Sequence, residues 1–448
     1  MAFQSVSDQY SGSGRISQSE VFLGGSCGAK HYTVGMNFVE LAVPFFILAM
    51  GLELAWGYWK KRQTYRLNDA IASLMMGTLS QLMGVLRLSF AAVVFAQAVQ
   101  MVGVVPWTPD HWWHWLAAFV AYDFCYYWKH RFGHEWRIMW ASHSAHHQSE
   151  EYNLSTALRQ TSTDYIGFVF YLPMYLVGTP VYVMISVGTL NLVYQFWVHT
   201  QHVKRLGILD YILVTPSNHR VHHAKNPAYI DKNYGGFFIV WDRLFGTFCD
   251  EREEEKPVYG ITHGLRSWNP IWANASVWWQ TLVLAIKAPR WRDKVRIWFK
   301  GPGWFPQGLR ADTHDPVGWA EQYDPVAPTS SKAYVFVQYW TLTAAGLALT
   351  GAYQQMPTEQ VWGLFALLAL SMYVIGTWLE NRPLRFMIDG LRGVVLLSTS
   401  LWMPLLTGEA HTLQGAWVEI MQALGLVNLL AVMGLYLLQR GSARTAAV

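Results

Sequence analysis

Charged residues are scarce in this chain: they make up 14% of its 448 residues, whereas hydrophobic residues make up 52%. A soluble globular protein carries about 25% charged residues, so this chain is too apolar to be solvated on all sides. The net charge is only +4, and the basic residues are scattered beside apolar segments, which excludes the clustered basic surface of a nucleic-acid-binding protein. The expected class is therefore an integral membrane protein with several spans.

Cysteine is scarce as well. Cys27, Cys125 and Cys249 are far apart and odd in number, which excludes a disulfide framework and a CxxC zinc pattern. The N-terminus lacks the apolar core of a signal peptide, so residues 1–38 are expected to form a polar tail.

Long apolar runs, by contrast, are abundant, and a spanning helix needs about 20 mostly apolar residues. The expected spans are 39–58, 70–105, 112–128, the two arms of a hairpin over 165–198, 334–353, 361–379, 386–406 and 416–438. Gly178, Thr179 and Pro180 mark the turn of the hairpin. Residues 70–105 are interpreted as one crossing, because a hairpin there would break the alternation of charged and uncharged loops. About nine crossings result.

Lysine and arginine are concentrated in alternate loops. The basic loops are 60–66, 129–159, 202–300, 380–385 and 439–444, and the loops without Lys or Arg are 105–111, 178–179, 354–360 and 407–414. The positive-inside rule places the basic loops in the cytoplasm. The expected fold is an all-α polytopic membrane bundle with a cytoplasmic histidine-rich di-metal cap. The lack of an ER-retrieval tail or a long cytosolic extension favours a bacterial inner membrane over the endoplasmic reticulum.

Four segments are expected along the chain. They are the polar tail 1–38, a histidine-rich catalytic core with membrane spans over 39–300, a linker over 301–333 and a C-terminal four-helix membrane unit over 334–448.

Ten of the sixteen histidines lie between residues 130 and 223, and eight of them recur at helical spacing. These eight are His130 and His134, then His143, His146 and His147, then His219, His222 and His223. Residues three and four apart share one face of a helix, and neutral imidazole is the commonest metal ligand. Because structural zinc takes four ligands, eight convergent imidazoles favour two metal ions. His199 is a ninth candidate, and His202 would face away from it on a continuous helix.

Isolated histidines more often pack against aromatic rings than bind metal, and five are interpreted in this way: His111, His114, His263, His314 and His411. Asp123 lies about two turns before His130 on the same helical face. An acid inside an apolar span is a functional candidate, with a helix–helix hydrogen bond as the alternative. Among the acids that border the histidines, Glu135 is the best candidate for a site role, whereas Glu150 and Glu151 could equally be solvated.

The motifs HRFGH, HSAHH and HRVHH, in this order after a membrane span, resemble the fatty acid hydroxylase / sterol desaturase superfamily of integral membrane di-iron enzymes. The segments YNLSTALRQ, NPAYIDKNYGG and WDRLFGTF are similar to its alkylglycerol branch, which cleaves ether lipids. The resemblance implies that the eight motif histidines bind two iron ions, for which zinc can substitute in a purified sample, and that Glu135 matches the family's glutamate after HxxxH.

The same resemblance implies the reaction. Zinc has no redox chemistry, whereas iron can activate dioxygen, so the implied activity is hydroxylation of the ether-linked alkyl carbon of an alkylglycerol, giving a fatty aldehyde and a glycerol. The implied partners are a lipid substrate, the membrane and an electron donor, tetrahydropterin in this branch. Arg159 and Lys232 would then meet a lipid head group or the pterin, or simply be positive-inside charge.

Two other functions compete with this one. A sterol or fatty-acyl desaturase or hydroxylase would share the metal core and differ outside the histidines. A metal transporter or sensor would place its ligands within the spans near the bilayer midplane, whereas these histidines lie in or beside basic loops.

Overall fold

A computed structural model of the chain describes residues 37–102, 105–309, 321–352, 356, 358–399, 401 and 412–445. Within these ranges the regular elements are all helical, and β-structure is limited to two isolated bridges. The α-helices are α1 (Phe38–Trp59), α2 (Leu67–Val102), α3 (Trp112–Glu135), α4 (Arg137–His147), α5 (Leu154–Ala157), α6 (Leu172–Leu176), α7 (Val181–Trp197), α8 (Leu209–Ile212), α9 (Pro216–His222), α10 (Val240–Phe245), α11 (Pro270–Lys287), α12 (Trp291–Phe299), α13 (Thr329–Ala352), α14 (Thr358–Leu379), α15 (Arg385–Leu397) and α16 (Thr412–Thr445). The expected all-α class is thereby confirmed.

The helix boundaries follow the apolar runs closely. Residues 67–102 form one continuous helix rather than a hairpin. The expected turn lies between α6 and α7, where Gly178 adopts a left-handed φ of 80°. The two arms, Gly167–Leu176 and Val181–Trp197, are shorter than the roughly 20 residues of a spanning helix. The polar tail up to residue 36, part of the linker (310–320) and all of residues 402–411 lie outside the described residues.

Within the described part of the chain, three helices are long and apolar enough to cross a membrane by themselves: Leu41–Trp59, Gln360–Leu379 and Val418–Gly441. Their outer faces are apolar; in α1, for example, Phe45 is 70% exposed and Leu48 is 60% exposed. Exposure of such a continuous apolar face to water is unfavourable, whereas contact with the hydrocarbon chains of lipids is favourable. The chain is therefore a membrane protein.

The largest hydrophobic core joins α2 to the C-terminal helices. Ile71 and Met75 of α2 lie in one cluster with Val335 of α13 and Met372 of α14. The segment before α13 adds polar contacts, because the backbone N–H of Tyr323 donates to Glu150 at 2.6 Å. The C-terminal helices are thus fixed both to α2 and to the loop that follows α4.

A closed polar network holds α13, α15 and α16 together. Asp389 and Arg392 form a fully buried ion pair at 2.8 Å, and Tyr334 and Asn428 hydrogen-bond to it from the neighbouring helices. A buried ion pair is tolerated only when its remaining donors and acceptors are paired. Here no described side-chain atom of the network is left unpaired, so the network leaves nothing for a ligand.

α4 starts directly after α3 and packs back against its end. The junction is Trp136, which has extended dihedral angles (φ −115°, ψ 125°). Gly133 lies at this close approach, where a Cβ would already be in van der Waals contact with the His143 ring, 3.4 Å from its Cγ. The histidines of α3 and α4 are therefore brought face to face.

Candidate metal centre

Nine imidazoles converge at the junction of α3, α4, α7 and α9, in two adjoining groups. The five-histidine group contains His130, His134, His143, His147 and His222, and the four-histidine group contains His146, His199, His219 and His223. Within each group, one ring nitrogen of every residue lies within 4.8 Å of the others. The structure thus brings together all nine histidines that the sequence singled out as metal ligands.

The ring nitrogens within each group are close enough to share one ion. In the five-histidine group, Nε2 of His143 lies 3.0 Å from Nε2 of both His130 and His147. In the four-histidine group, Nε2 of His199 lies 3.4 Å from that of His146 and 3.1 Å from that of His219. The groups meet where the rings of His147 and His223 stack with their centroids 4.3 Å apart.

Helical geometry divides the motifs between the groups. The side chain direction turns by about 100° per residue in an α-helix, so the neighbours His146 and His147 point into different groups. His143 and His147, four residues apart, share a face and enter the same group. His199 follows α7 directly and completes the four-histidine group from a third direction.

Backbone carbonyls fix the tautomer of four imidazoles. The pairs are His130 Nδ1 with Tyr234 O (2.7 Å), His146 Nδ1 with Arg159 O (2.9 Å), His199 Nδ1 with Gln195 O (2.8 Å) and His222 Nδ1 with Lys232 O (3.0 Å). A carbonyl oxygen only accepts, so Nδ1 must carry the proton. The Nε2 lone pair is then directed into the group, which is the usual arrangement of metal-binding histidines.

Burial keeps these imidazoles neutral. Desolvation lowers the pKa of His146 to about 4 and that of His222 to about 3. Nε2 of His134, His222 and His223 is buried without a hydrogen-bond partner among the described residues. An unpaired buried nitrogen costs about 1–3 kcal/mol, and coordination to a cation would satisfy it. Neutral, convergent and unpaired ring nitrogens are the donor set that fits metal ions.

Asp123 organises the loop that carries two of these carbonyls. Its carboxylate is fully buried and accepts hydrogen bonds from the backbone N–H groups of Phe237 and Phe238, from Nε1 of Trp241 and from Nδ2 of Asn191, at 2.7–3.0 Å. None of these four donors is a histidine. The bond from Asn191 joins α7 to α3, as in the helix–helix alternative. Asp123 also holds the loop whose Tyr234 carbonyl orients His130, so it acts on the imidazole indirectly.

A second buried acid, Asp242, also holds this loop in place, and it was not predicted as a site residue from the sequence. It accepts from the backbone N–H groups of Tyr234 and Gly235, both at 2.7 Å, and from the hydroxyl of Thr247 at 2.6 Å. Its segment, WDRLFGTF, belonged to the family resemblance, but an acid in the first turn of a helix usually serves only to cap it. Asn233 lies in the same loop with a left-handed φ of 57°.

The acids next to the histidine motifs lie at the rim. Glu135 pairs with Arg131 at 2.8 Å and is outside both histidine groups. Asp231 lies closer, with its carboxylate 3.8 Å from Nδ1 of His134; burial, followed by the charge of Glu135, raises the pKa of Asp231 to about 6. Glu150 and Glu151 are not free in solvent, because both lie against Arg66.

Arg159 and Lys232 contribute to the site through their backbones. The guanidinium of Arg159 is buried and donates to the carbonyl of Ala145 and to Gln148, so it does not face a lipid head group. His202 is outside both groups. Of the isolated histidines, His111, His114 and His263 are also outside them, and His314 and His411 lie outside the described residues.

Comparison with known proteins agrees with this geometry. The fatty acid hydroxylase family model matches residues 115–247, the segment that contains all nine imidazoles. The alkylglycerol monooxygenase of Homo sapiens is 38% identical over 379 residues, which cover 81% of this chain and 82% of that protein. The alkylglycerol monooxygenase of Danio rerio is 37% identical over 370 residues, again 81% of this chain and 82% of that protein.

A bacterial relative is more distant. The ornithine lipid hydroxylase OlsE of Rhizobium tropici is 28% identical over 279 residues, which cover 58% of this chain and 83% of that protein. No solved structure matches the chain significantly. The histidine arrangement, the family match and the extended similarity to alkylglycerol monooxygenases lead to one conclusion: the chain belongs to the fatty acid hydroxylase family and is a lipid-hydroxylating oxidoreductase.

Proposed function

We propose that this protein is a di-iron monooxygenase that hydroxylates the ether-linked alkyl carbon of an alkylglycerol. The observation that carries the proposal is the pair of buried histidine groups in a chain that resembles alkylglycerol monooxygenases over 81% of its length. Dioxygen and two electrons with two protons convert the ether R–CH2–O–R′ into the hemiacetal R–CH(OH)–O–R′ and water. The hemiacetal then collapses to a fatty aldehyde and a glycerol.

The five-histidine group and the four-histidine group would each bind one iron ion. Bound iron supplies the activation of dioxygen, which no side chain can provide. The family, rather than the ligand set, selects iron, since neutral imidazole also binds zinc well. Zinc that replaces iron during overexpression would leave the fold intact and remove the activity, because zinc has no redox chemistry.

Some side chains contact the histidines and support their positions without being metal ligands themselves. Tyr126 lies edge-on to His130 with ring centroids 5.2 Å apart, and its hydroxyl donates to Gln195. Gln195 also provides the carbonyl that orients His199. Tyr126 and Gln195 therefore connect the two groups.

The alkyl chain of the substrate would lie among the apolar residues of α3, α6 and α7. Val183 and Val187 of α7 pack there with Met174 of α6, and Tyr122 of α3 stacks on Tyr171 with ring centroids 4.6 Å apart. An alkyl chain that runs from this cluster toward His130 would keep its polar head at the loop side of the membrane. That orientation delivers the first methylene to the metal ions.

The topology that accompanies this proposal has about nine crossings, with the histidine groups on the cytoplasmic face. The distribution of Lys and Arg among the loops supports it, together with a chain divided into the tail 1–38, the core 39–300, the linker 301–333 and the unit 334–448. We therefore propose that the histidine groups face the cytoplasm. The similar proteins include animal and bacterial ones, and the proposal applies equally to a bacterial inner membrane and to an endoplasmic reticulum.

The two electrons must come from an external reductant. We propose tetrahydropterin, as the resemblance to the alkylglycerol branch implies. The relative OlsE is named as an ornithine lipid hydroxylase, which supports a second candidate activity: hydroxylation of a lipid chain that does not cleave an ether.

The test uses purified iron-loaded protein, labelled dioxygen, tetrahydropterin and a 1-O-alkylglycerol. The expected product is a fatty aldehyde with one labelled oxygen, trapped at once by borohydride reduction because aldehyde oxygen exchanges with water. The matched control substrate is the 1-acylglycerol of equal length, whose equivalent carbon is a carbonyl without a C–H bond. Label in a mid-chain alcohol with an intact ether would refute ether cleavage and favour the second activity.

A further inference from the structure

A cavity of about 400 Å³ opens at one end of the C-terminal helices. Its walls come from the start of α13, the turn between α14 and α15, and the end of α16. The lining residues that matter here are Ser330, Arg385, Phe386, Tyr436, Gln439 and Arg440. The volume lies within the range of about 300–1,000 Å³ that is usual for small-molecule pockets.

The charge of this cavity is positive and uncompensated. Arg385 and Arg440 both line it, and no acidic residue does. Neither guanidinium has a carboxylate within 4.0 Å among the described residues, whereas nearby Arg382 pairs with Glu380 at 2.6 Å. Two unpaired arginines in one pocket attract an anion, and their planar donors match the oxygen geometry of a phosphate group.

The hydrogen bonds of Arg385 hold it in place. One NH2 group donates to Oε1 of Gln439 at 2.8 Å, and the other donates to the carbonyl of Arg382 at 3.0 Å. The Nε–H of Arg385 is buried without a partner among the described residues. Gln439 in turn donates to the hydroxyl oxygen of Ser330 at 3.2 Å, which joins the end of α16 to the start of α13.

The remaining wall is aromatic. The rings of Phe386 and Tyr436 meet edge-to-face with centroids 5.3 Å apart, and the guanidinium of Arg440 lies 4.9 Å from the centroid of Tyr436. Beyond this wall, α16 exposes Leu430 and Met433, each by 61%. A cationic pocket with aromatic walls, continuous with a lipid-facing apolar surface, is suited to an amphiphile with an anionic head.

We propose that this cavity binds the phosphate ester of an anionic membrane phospholipid, with the glycerol part against Phe386 and Tyr436 and the acyl chains along α16. Basic pockets between membrane helices on the side rich in Lys and Arg bind such head groups. Free inorganic phosphate shares the anionic chemistry but would not use the apolar surface. The site involves none of the nine histidines and is separate from the proposed reaction.

Native mass spectrometry of the full chain in detergent, titrated with short-chain phosphatidylglycerol, tests this assignment. The Arg440 side chain is exposed and makes no hydrogen bond with any described residue. Arg440→Gln therefore removes the charge and loses only the contact with the Tyr436 ring. We expect it to weaken lipid binding about fivefold, the effect of one basic residue at an anionic surface. Arg382→Gln is the matched control, because it removes the same charge beside the cavity and leaves lipid binding unchanged.

Arg385→Lys provides a second variant that keeps the charge and loses the planar donors, and it too is expected to weaken binding. Metal content and activity should be unchanged in Arg440→Gln. Equal weakening by Arg440→Gln and Arg382→Gln would overturn the proposal in favour of unspecific surface charge. Equal binding of phosphatidylcholine would also overturn it, as would displacement of the lipid by inorganic phosphate at the same concentration.

Discussion

Replacement of Asp123 by asparagine should loosen the loop 232–241 and with it the five-histidine group. The carboxylate accepts four hydrogen bonds, two at each oxygen: Asn191 and Phe237 donate to Oδ1, and Phe238 and Trp241 donate to Oδ2. An asparagine has one oxygen, so in either amide orientation two buried donors face an NH2 group. Each unpaired buried donor costs about 1–3 kcal/mol, which gives a loss of about 2–6 kcal/mol in the attachment of this loop.

The loop carries the carbonyl that orients His130, so iron binding should weaken as well. Loss of a residue that orients a metal ligand typically lowers metal affinity by about 10–100-fold. Hydrogen exchange should become faster in peptides that cover residues 232–241, and the average iron content should fall below about two ions per chain. Asp110→Asn is the control, because it makes the same chemical change at an exposed acid outside the site. Unchanged exchange in Asp123→Asn relative to this control would refute the reasoning.

Three further changes probe the site and the topology. His222→Ala should abolish turnover and reduce bound iron measured by elemental analysis, while His263→Ala should do neither; equal damage would mean that the histidines matter only for folding. Gly133→Val should push α4 away from α3, because a Cβ at this position would already touch His143 at 3.4 Å and the two methyl groups of valine extend further. Full iron content in that variant would contradict the packing argument. Accessibility tags at Lys61 and the C-terminus should report the cytoplasmic side and a tag near Thr358 the opposite side, and opposite results for Lys61 and the C-terminus would disprove the crossing count.

The metal-site candidates could be found in the sequence because helical spacing is a local property. His143, His146 and His147 share the short-range geometry of one helix whatever surrounds it. The assignment of each histidine to a group could not be found, because it depends on how α3, α4 and α9 pack against one another. His147 and His222 are 75 residues apart in sequence yet enter the same group.

The burial of individual charged side chains could not be predicted from local sequence patterns either. Arg159 has the position of a juxtamembrane cation in the sequence, yet its side chain is 2% exposed and donates to a backbone carbonyl. Asp123 was singled out as an acid within an apolar span, but three of its four donors come from a loop more than 110 residues later. Hydrogen bonds of such long range leave no periodic trace in a sequence.

The division of α4 between the two histidine groups has a consequence for how the ions are acquired. His146 and His147 are consecutive residues that serve different groups, so the separation of the two sites is set within a single peptide unit, where Cα atoms are about 3.8 Å apart. The first ion to bind would fix the position of α4. Less conformational entropy is then lost when the second ion binds. Loading should then be cooperative, and partly filled protein should be scarce compared with empty and fully loaded chains.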